Sequence, residues 1–174
     1  MLKKIAIGVI VIIVAILAYA ATKPDTFSVQ RAATIKAPPE KIFALIEDFH
    51  NWGTWSPWEK LDPNMKRTFS GPPSGKGSAY AWEGNRDAGA GRMEITDATP
   101  AKVALKLDFI KPFEAHNNVE FTLTPQGDST NVTWVMSGPN SYMSKLMQTF
   151  MSMDKMVGKD FEAGLSNLKA VAEK

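Results

Sequence analysis

The side chains that most often carry out catalysis are sparse in this 174-residue chain. Cysteine is absent, and neither of the two histidines, His50 and His116, has a second nitrogen ligand at metal-binding spacing. No serine occupies the glycine-flanked motif of an esterase nucleophile. The sequence therefore predicts no metal site and no cofactor, and it assigns no catalytic residue.

Two glycine-rich segments resemble phosphate-binding loops but do not match them. "GPPSGKGS" (71–78) encloses three residues instead of four between its first glycines, and a glycine follows its lysine where serine or threonine is required. "GAGRME" (89–94) lacks the third glycine of the dinucleotide fingerprint. Both segments are predicted to be hairpin turns. Apart from Lys3 and Lys4, basic and acidic residues balance, so no cationic surface is expected to bind nucleic acid.

Four ionisable residues are candidates for polar groups in an apolar interior: Arg31, Glu59, Glu83 and His116. Arg31 shares one face of a predicted strand with Val29 and Ala33. An inward guanidinium needs an anionic ligand or an acidic partner, for which Glu59, Glu83 and Asp108 are candidates. Alternatively, Arg31 lies near the sheet edge and extends to water. Catalysis would require one of these four groups to enter a cavity with a displaced pKa.

Aromatic residues offer a different chemistry, the binding of an apolar ligand. "DFHNWGTWSPWEKLDP" (48–63) contains Trp52, Trp55 and Trp58. The first two are spaced to share a face of a short helix, which Pro57 is predicted to end, and Trp58 is predicted to begin the run into the next strand. At least one ring is expected to close the end of a cavity, although packing in the core explains the three tryptophans equally well.

The remaining pattern predicts the elements that position these residues. "FSVQRAATIKAP" alternates as a strand, Pro39 begins a helix, and six strands follow from residue 64. Apolar residues then recur every three or four positions from about 141 to 172, which predicts one long helix, with a possible kink near Gly158. We expect an α+β fold in which an antiparallel sheet wraps around this C-terminal helix.

A sheet curved around one helix encloses space in which a ligand can bind. Besides the three tryptophans, the predicted walls of this cavity comprise seven residues: Tyr80, Trp82, Phe109, Phe121, Trp134, Phe150 and Met153. The last helix carries too many methionines for one stripe, at 143, 147, 151, 153 and 156. They fill gaps in the core or form an adaptable pocket wall.

The N-terminal segment predicts membrane insertion. Residues 5–21 carry no charge and follow Lys3 and Lys4, and as a helix they would span roughly 26 Å. Residues 1–24 are therefore expected to be a single-pass anchor in a bacterial inner membrane, with residues 25–174 facing the periplasm or the exterior. Ala18-Tyr19-Ala20 also fits a signal-peptidase site, so secretion after cleavage near Ala20 is the alternative.

Several motifs resemble the polyketide cyclase/dehydrase-like branch of the START-like (SRPBCC) superfamily over residues 26–173. They are Ala37-Pro38-Pro39 at the helix start, Trp55, Pro57 and Trp58 with Trp52 upstream, and the closing run Gly164 to Lys169. The resemblance implies a helix-grip fold around a hydrophobic cavity. Members of this superfamily bind lipids, sterols or polyketides, and no catalytic residue can be carried over from the motifs.

Together these features favour a membrane-tethered module that binds or transfers a hydrophobic small molecule or lipid, in preference to an enzyme. The alternatives are an enzyme of the cyclase, dehydratase or hydrolase type acting on an aromatic substrate, and a non-catalytic interaction domain in the cell envelope. Protein partners are not predicted.

Overall fold

The computed structural model describes residues 2–174 and has four α-helices and seven strands. Two 3-10 helices, Phe49–Thr54 and Pro57–Lys60, lie within residues 49–60, which we call the aromatic segment. The helices are α1 (Leu2–Ala21), α2 (Pro39–Glu47), α3 (Tyr142–Met147) and α4 (Met153–Ala172). The strands are β1 (Thr26–Ile35), β2 (Lys66–Ser70), β3 (Ala79–Glu83), β4 (Ala90–Thr99), β5 (Lys102–Lys111), β6 (Ala115–Gln126) and β7 (Ser129–Pro139).

The seven strands form one antiparallel sheet in the order β1-β7-β6-β5-β4-β3-β2. Alternation of buried and exposed residues is clear in β6 and β7, where Val119, Phe121 and Leu123 point inward from β6. This gives the sheet one apolar face and one face toward water, as the sequence predicted. The α+β helix-grip fold is thereby confirmed.

The predicted single C-terminal helix is interrupted at residues 148–152. The amides of Thr149 and Phe150 bond to carbonyls only three residues back, and the Thr149 hydroxyl donates to the Lys145 carbonyl at 3.1 Å. These tighter bonds end α3, and α4 begins at Met153. The prediction of one helix was therefore wrong. The apolar spacing continues across residues 148–152, but the apolar residues before α4 face outward and not toward the sheet. Gly158 lies inside α4 and does not end it.

Helix α4 packs along the edge strand β1, and Arg31 joins the two elements. Its guanidinium donates to Asp154 at 2.8 Å and to Glu162 at 2.7 Å, passing over Gly158, which has no side chain to block it. These bonds raise the pKa of Arg31 further above its already high ordinary value. The predicted acidic partners of Arg31 were wrong. The observed partners come from α4, and the alternation of a strand does not reveal which helix lies beside it.

Helix α1 has the length and composition of a membrane span or a signal sequence. Several contacts join its C-terminal end and the following linker to the region of α3. The Tyr142 hydroxyl donates to the Leu17 carbonyl at 3.0 Å, the Asn140 amide donates to the Pro24 carbonyl at 3.0 Å, and Lys145 pairs with Asp25. Lys145 also lowers the pKa of Asp25, chiefly through the hydrogen bond between them. The base of α1 is thus attached to the folded domain.

At Gly164, α4 packs directly against Trp134 of β7. A Cβ placed there would lie 2.8 Å from Cζ3 of Trp134 and 3.3 Å from Cδ of Pro57. Because the Trp134 ring is rigid and packed on Phe161, it has little room to move.

We expect Gly164→Ala to lower the free energy of unfolding by about 1–3 kcal/mol, since the added methyl overpacks the contact with Trp134. Urea denaturation measures this change. Gly53→Ala is the matched control, because a Cβ at Gly53 meets no atom within 4 Å. Equal stability of the G164A variant and the wild type would contradict the close packing of α4 on the sheet.

Candidate ligand cavity

A cavity of about 400 Å³ lies between the apolar face of the sheet, α4 and the aromatic segment. This volume is in the range of sites that bind small organic molecules. Its walls are mainly apolar, with contributions from β3, β4, β5, β6 and β7. The space exists because α4 covers mainly the β1 side of the sheet and the aromatic segment covers only part of the remainder.

Hydrogen bonds from two indoles fix the aromatic segment. Trp52 Nε1 donates to the Ile46 carbonyl at 2.9 Å, and Trp55 Nε1 donates to the Leu45 carbonyl at 3.0 Å. Both acceptors lie in the last turn of α2, where carbonyl groups lack partners within the helix. The Asn167 amide of α4 donates to the Trp55 carbonyl at 3.0 Å. The segment is therefore a rigid wall held by two helices.

The three tryptophans of this segment occupy different environments. Trp52 and Trp58 line the cavity, whereas Trp55 is fully buried in the core behind them. Trp58 does not begin a strand, because Pro57 starts a second 3-10 helix and β2 begins only at Lys66. The rings do not form one stack, since Trp134 lies between Trp55 and Trp58, with edge-to-face contacts at 5.7 and 5.6 Å.

The other predicted wall residues divide in the same way. Five of them line the cavity: Tyr80, Trp82, Phe109, Trp134 and Met153. Phe121 is fully buried in the core and packs against Trp134 instead. Phe150 does not line the cavity, because it lies in the break between α3 and α4 with 74% of its surface exposed.

Trp134 gives the cavity wall an unused hydrogen-bond donor. Its ring stacks on Phe161 with a centroid distance of 4.1 Å, and the residue is only 2% exposed. Its indole nitrogen is buried and has no hydrogen-bond partner among residues 2–174. A buried donor without a partner is energetically costly.

One polar cluster lies in the apolar wall, formed by Glu59, Tyr80 and Arg67. Glu59 and Tyr80 line the cavity, and the Tyr80 hydroxyl donates to one carboxylate oxygen of Glu59 at 2.6 Å. Arg67 Nε donates to the other oxygen at 2.7 Å, while its Nη2 donates to the Glu59 carbonyl at 3.0 Å. Burial first, and then the Glu59 carboxylate, raise the pKa of Tyr80 above its ordinary value, so the phenol keeps its proton at neutral pH.

The remaining polar candidates lie outside the cavity. Glu83 pairs with Lys111 at 3.0 Å on the exposed face, and this contact lowers the pKa of Glu83. His116 bonds to Asp108 at 2.7 Å, which raises the pKa of the imidazole. Arg31 is used by the ion pairs with α4. Of the four candidates, only Glu59 borders the cavity.

The cavity opens at one end of the sheet, where several lining residues are exposed to water. Phe113, in the turn between β5 and β6, is 75% exposed and borders the cavity. Asp87 in the turn between β3 and β4 and the start of α4 complete this rim. Sequence analysis missed Phe113 because a turn residue has no periodic pattern. It also missed Arg67, because its role depends on a tertiary contact with Glu59 that no strand pattern indicates.

The fold and cavity define the class of protein, a helix-grip domain that binds hydrophobic ligands. No group of three metal-ligating side chains occurs among residues 2–174. Residues 26–173 match the family described as polyketide cyclase / dehydrase and lipid transport. The chain belongs to this family, which confirms the resemblance to the SRPBCC superfamily.

Solved structures with the same fold come from several organisms. Protein CV1439 from Chromobacterium violaceum has 14% identity and a TM-score of 0.60, covering 87% of this chain and 99% of its own. Major latex-like protein 151 from Panax ginseng has 15% identity and a TM-score of 0.61, covering 87% and 100%. Protein Ms6760 from Mycobacterium smegmatis has 20% identity and a TM-score of 0.58, covering 86% and 92%. No curated protein matches the chain in sequence.

Replacing Glu59 by glutamine tests the polar cluster. We expect E59Q to lower the free energy of unfolding by about 1–3 kcal/mol, because Arg67 loses a charged acceptor in a site that is mostly buried. Urea denaturation gives the value.

Glu83→Gln provides the control, since it removes the same charge from a pair exposed to water and should leave stability unchanged. If both variants lose the same stability, the Glu59 cluster contributes no more than a surface ion pair.

Proposed function

We propose that this chain is a membrane-tethered domain that binds, and exchanges with the bilayer, an amphipathic molecule with a long apolar part and one polar end. The observation that carries the proposal is the position of Glu59 and Tyr80 together in a mainly apolar cavity wall. Helix α1 supports the tether, because its length and apolar composition suit a membrane span. The span would have its N-terminal lysines in the cytoplasm and the domain on the opposite side of the membrane.

The chemistry of the polar cluster selects a ligand that donates a hydrogen bond. Glu59 accepts bonds from Tyr80 and Arg67 and has lone pairs left on both oxygens. The Tyr80 oxygen, which donates its own hydrogen to Glu59, can also accept one. A hydroxyl group therefore fits this end better than a carboxylate, which the Glu59 charge would repel. The apolar remainder of such a ligand would contact the aromatic and aliphatic walls.

An enzymatic role for the same cluster is the second candidate, since a phenol and a carboxylate in a cavity can transfer protons. The raised pKa of Tyr80 counts against it, because such a phenol is a poor acid and a poor base near neutral pH. Arg67 also holds Glu59 by two bonds. Binding without chemistry explains this geometry better.

Filling the cavity should abolish binding. Leu107 lines the cavity on β5, and its neighbour Lys106 points to the opposite, exposed face. We expect Leu107→Trp to weaken binding of the uncharged fluorescent probe N-phenyl-1-naphthylamine at least about tenfold, or about 1.4 kcal/mol. Lys106→Trp, which adds the same side chain to the other face, should bind the probe like the wild type. Equal binding by both variants would contradict a ligand site in this cavity.

The preference for a hydroxyl group is tested by displacing this probe with 1-dodecanol or with its methyl ether, which cannot donate a hydrogen bond. Glu59→Gln should weaken displacement by the alcohol about three- to tenfold, because a neutral acceptor bonds less strongly than a carboxylate. The ether should be unaffected. If E59Q changes both ligands equally, the polar end does not recognise a hydroxyl group. Covalent change of a bound ligand, detected by mass spectrometry, would favour the enzyme.

A further inference from the structure

Residues 142–151, comprising α3 and the turn after it, expose an apolar surface. We call this the methionine surface; its exposed residues are Tyr142, Met143, Met147, Phe150 and Met151. Met143 and Met147 lie about one helical turn apart on α3, and Phe150 and Met151 follow in the turn after it. Exposed contiguous apolar surfaces in soluble domains mark contacts with a partner or a membrane.

The opposite face of the same segment is polar and points into the protein. Lys145 has only 10% of its side chain exposed and pairs with Asp25. Gln148 donates to Asn140 at 2.7 Å, and Thr149 bonds to the Lys145 carbonyl. The segment is therefore apolar outside and polar inside, the reverse of a helix that faces water. Such a reversal is favourable only where the surroundings are apolar.

The membrane span proposed for α1 would place a lipid bilayer beside this surface. Tyr142 bonds to Leu17, which lies one helical turn before the end of α1. The uncharged part of α1, residues 5–21, spans roughly 26 Å, less than the roughly 30 Å of a typical hydrocarbon core. A span that is too short draws its flanking residues toward the bilayer. The methionine surface is held at this depth, and Tyr142 has the character of an interfacial aromatic residue.

The cavity opens at the same end of the sheet. Strand β1 starts just after α1, and its first residue, Thr26, pairs with Pro139 of β7, which borders the cavity. Ser144 of α3 and Phe113 in the turn between β5 and β6 also border it. The far end of the sheet, at Gln126 in the β6–β7 hairpin, is roughly 30 Å away along the strands.

We propose that the methionine surface rests in the interface of the bilayer, so that the cavity mouth faces the membrane and a ligand passes between cavity and lipid without crossing water. This inference rests on the proposed membrane attachment through α1, and it is independent of the identity of the ligand. Adaptable methionine side chains suit contact with disordered lipid chains.

The absence of cysteine makes the test direct, because a single introduced cysteine carries the only thiol in the chain. The full-length variants Phe150→Cys, Phe113→Cys and Gln126→Cys are each labelled with an environment-sensitive fluorophore. They are then reconstituted in phosphatidylcholine vesicles that contain brominated phosphatidylcholine. All three positions are exposed, so the fold, checked by circular dichroism, should tolerate the labels.

We expect the labels at 150 and 113 to be quenched several-fold more than the label at 126. Weak quenching at 150 in a chain that remains bound to the vesicles overturns the inference and leaves the attachment through α1 intact. Strong quenching at 150 with none at 113 also overturns it, because the mouth would then face water. Loss of the chain from floated vesicles overturns the inference and the proposed attachment together. If the quenching pattern is as expected but N-phenyl-1-naphthylamine does not bind, only the proposed ligand site is refuted.

Discussion

The structure depends on a mismatch in width between the sheet and the helix that covers it. Seven strands at about 4.8 Å spacing make a surface roughly 30 Å wide, and one helix with its side chains is about 10 Å across. Helix α4 packs along the β1 edge, where Arg31 bonds to it, and does not lie over the middle of the sheet. The apolar face over β3 to β5 is left to α2 and the aromatic segment, which enclose space rather than filling it. The cavity is a consequence of this geometry.

The tryptophan side chains stabilise this arrangement because each has a rigid apolar ring and one N–H group that can donate a hydrogen bond. Trp52 and Trp55 bury wide rings and bond to carbonyl groups at the end of α2, so they complete a helix terminus and build a wall at once. Trp134 has no such partner, and its indole nitrogen is the one buried side-chain N or O atom without a hydrogen bond among residues 2–174. The cavity wall therefore combines rigid apolar rings with a few polar groups. In apolar sites, such polar groups fix the orientation of a bound ligand.

Sequence patterns predicted the parts of the fold that depend on local periodicity. Alternation in β5 to β7 and the proline at the start of α2 correspond to the observed elements. Periodicity failed where the surroundings decide the outcome. The same apolar spacing runs through Phe150 and Phe161, yet the first is exposed and the second is buried, because spacing does not say what lies opposite. The partners of Arg31 and the meeting of Glu59 with Tyr80 arise from tertiary packing between distant segments, which no local pattern encodes.

The strand order has a consequence for how the chain acquires its structure. The first strand of the domain pairs only with the last, so β1 has no neighbour in the sheet until the whole of β7 has been synthesised. Pairing across such a separation in sequence slows folding, since the intervening chain must be ordered first. Until then β1 has unpaired backbone groups on both sides, directly after an apolar helix that attracts other apolar surfaces. The topology therefore leaves this segment open to association with other apolar surfaces until the chain is complete.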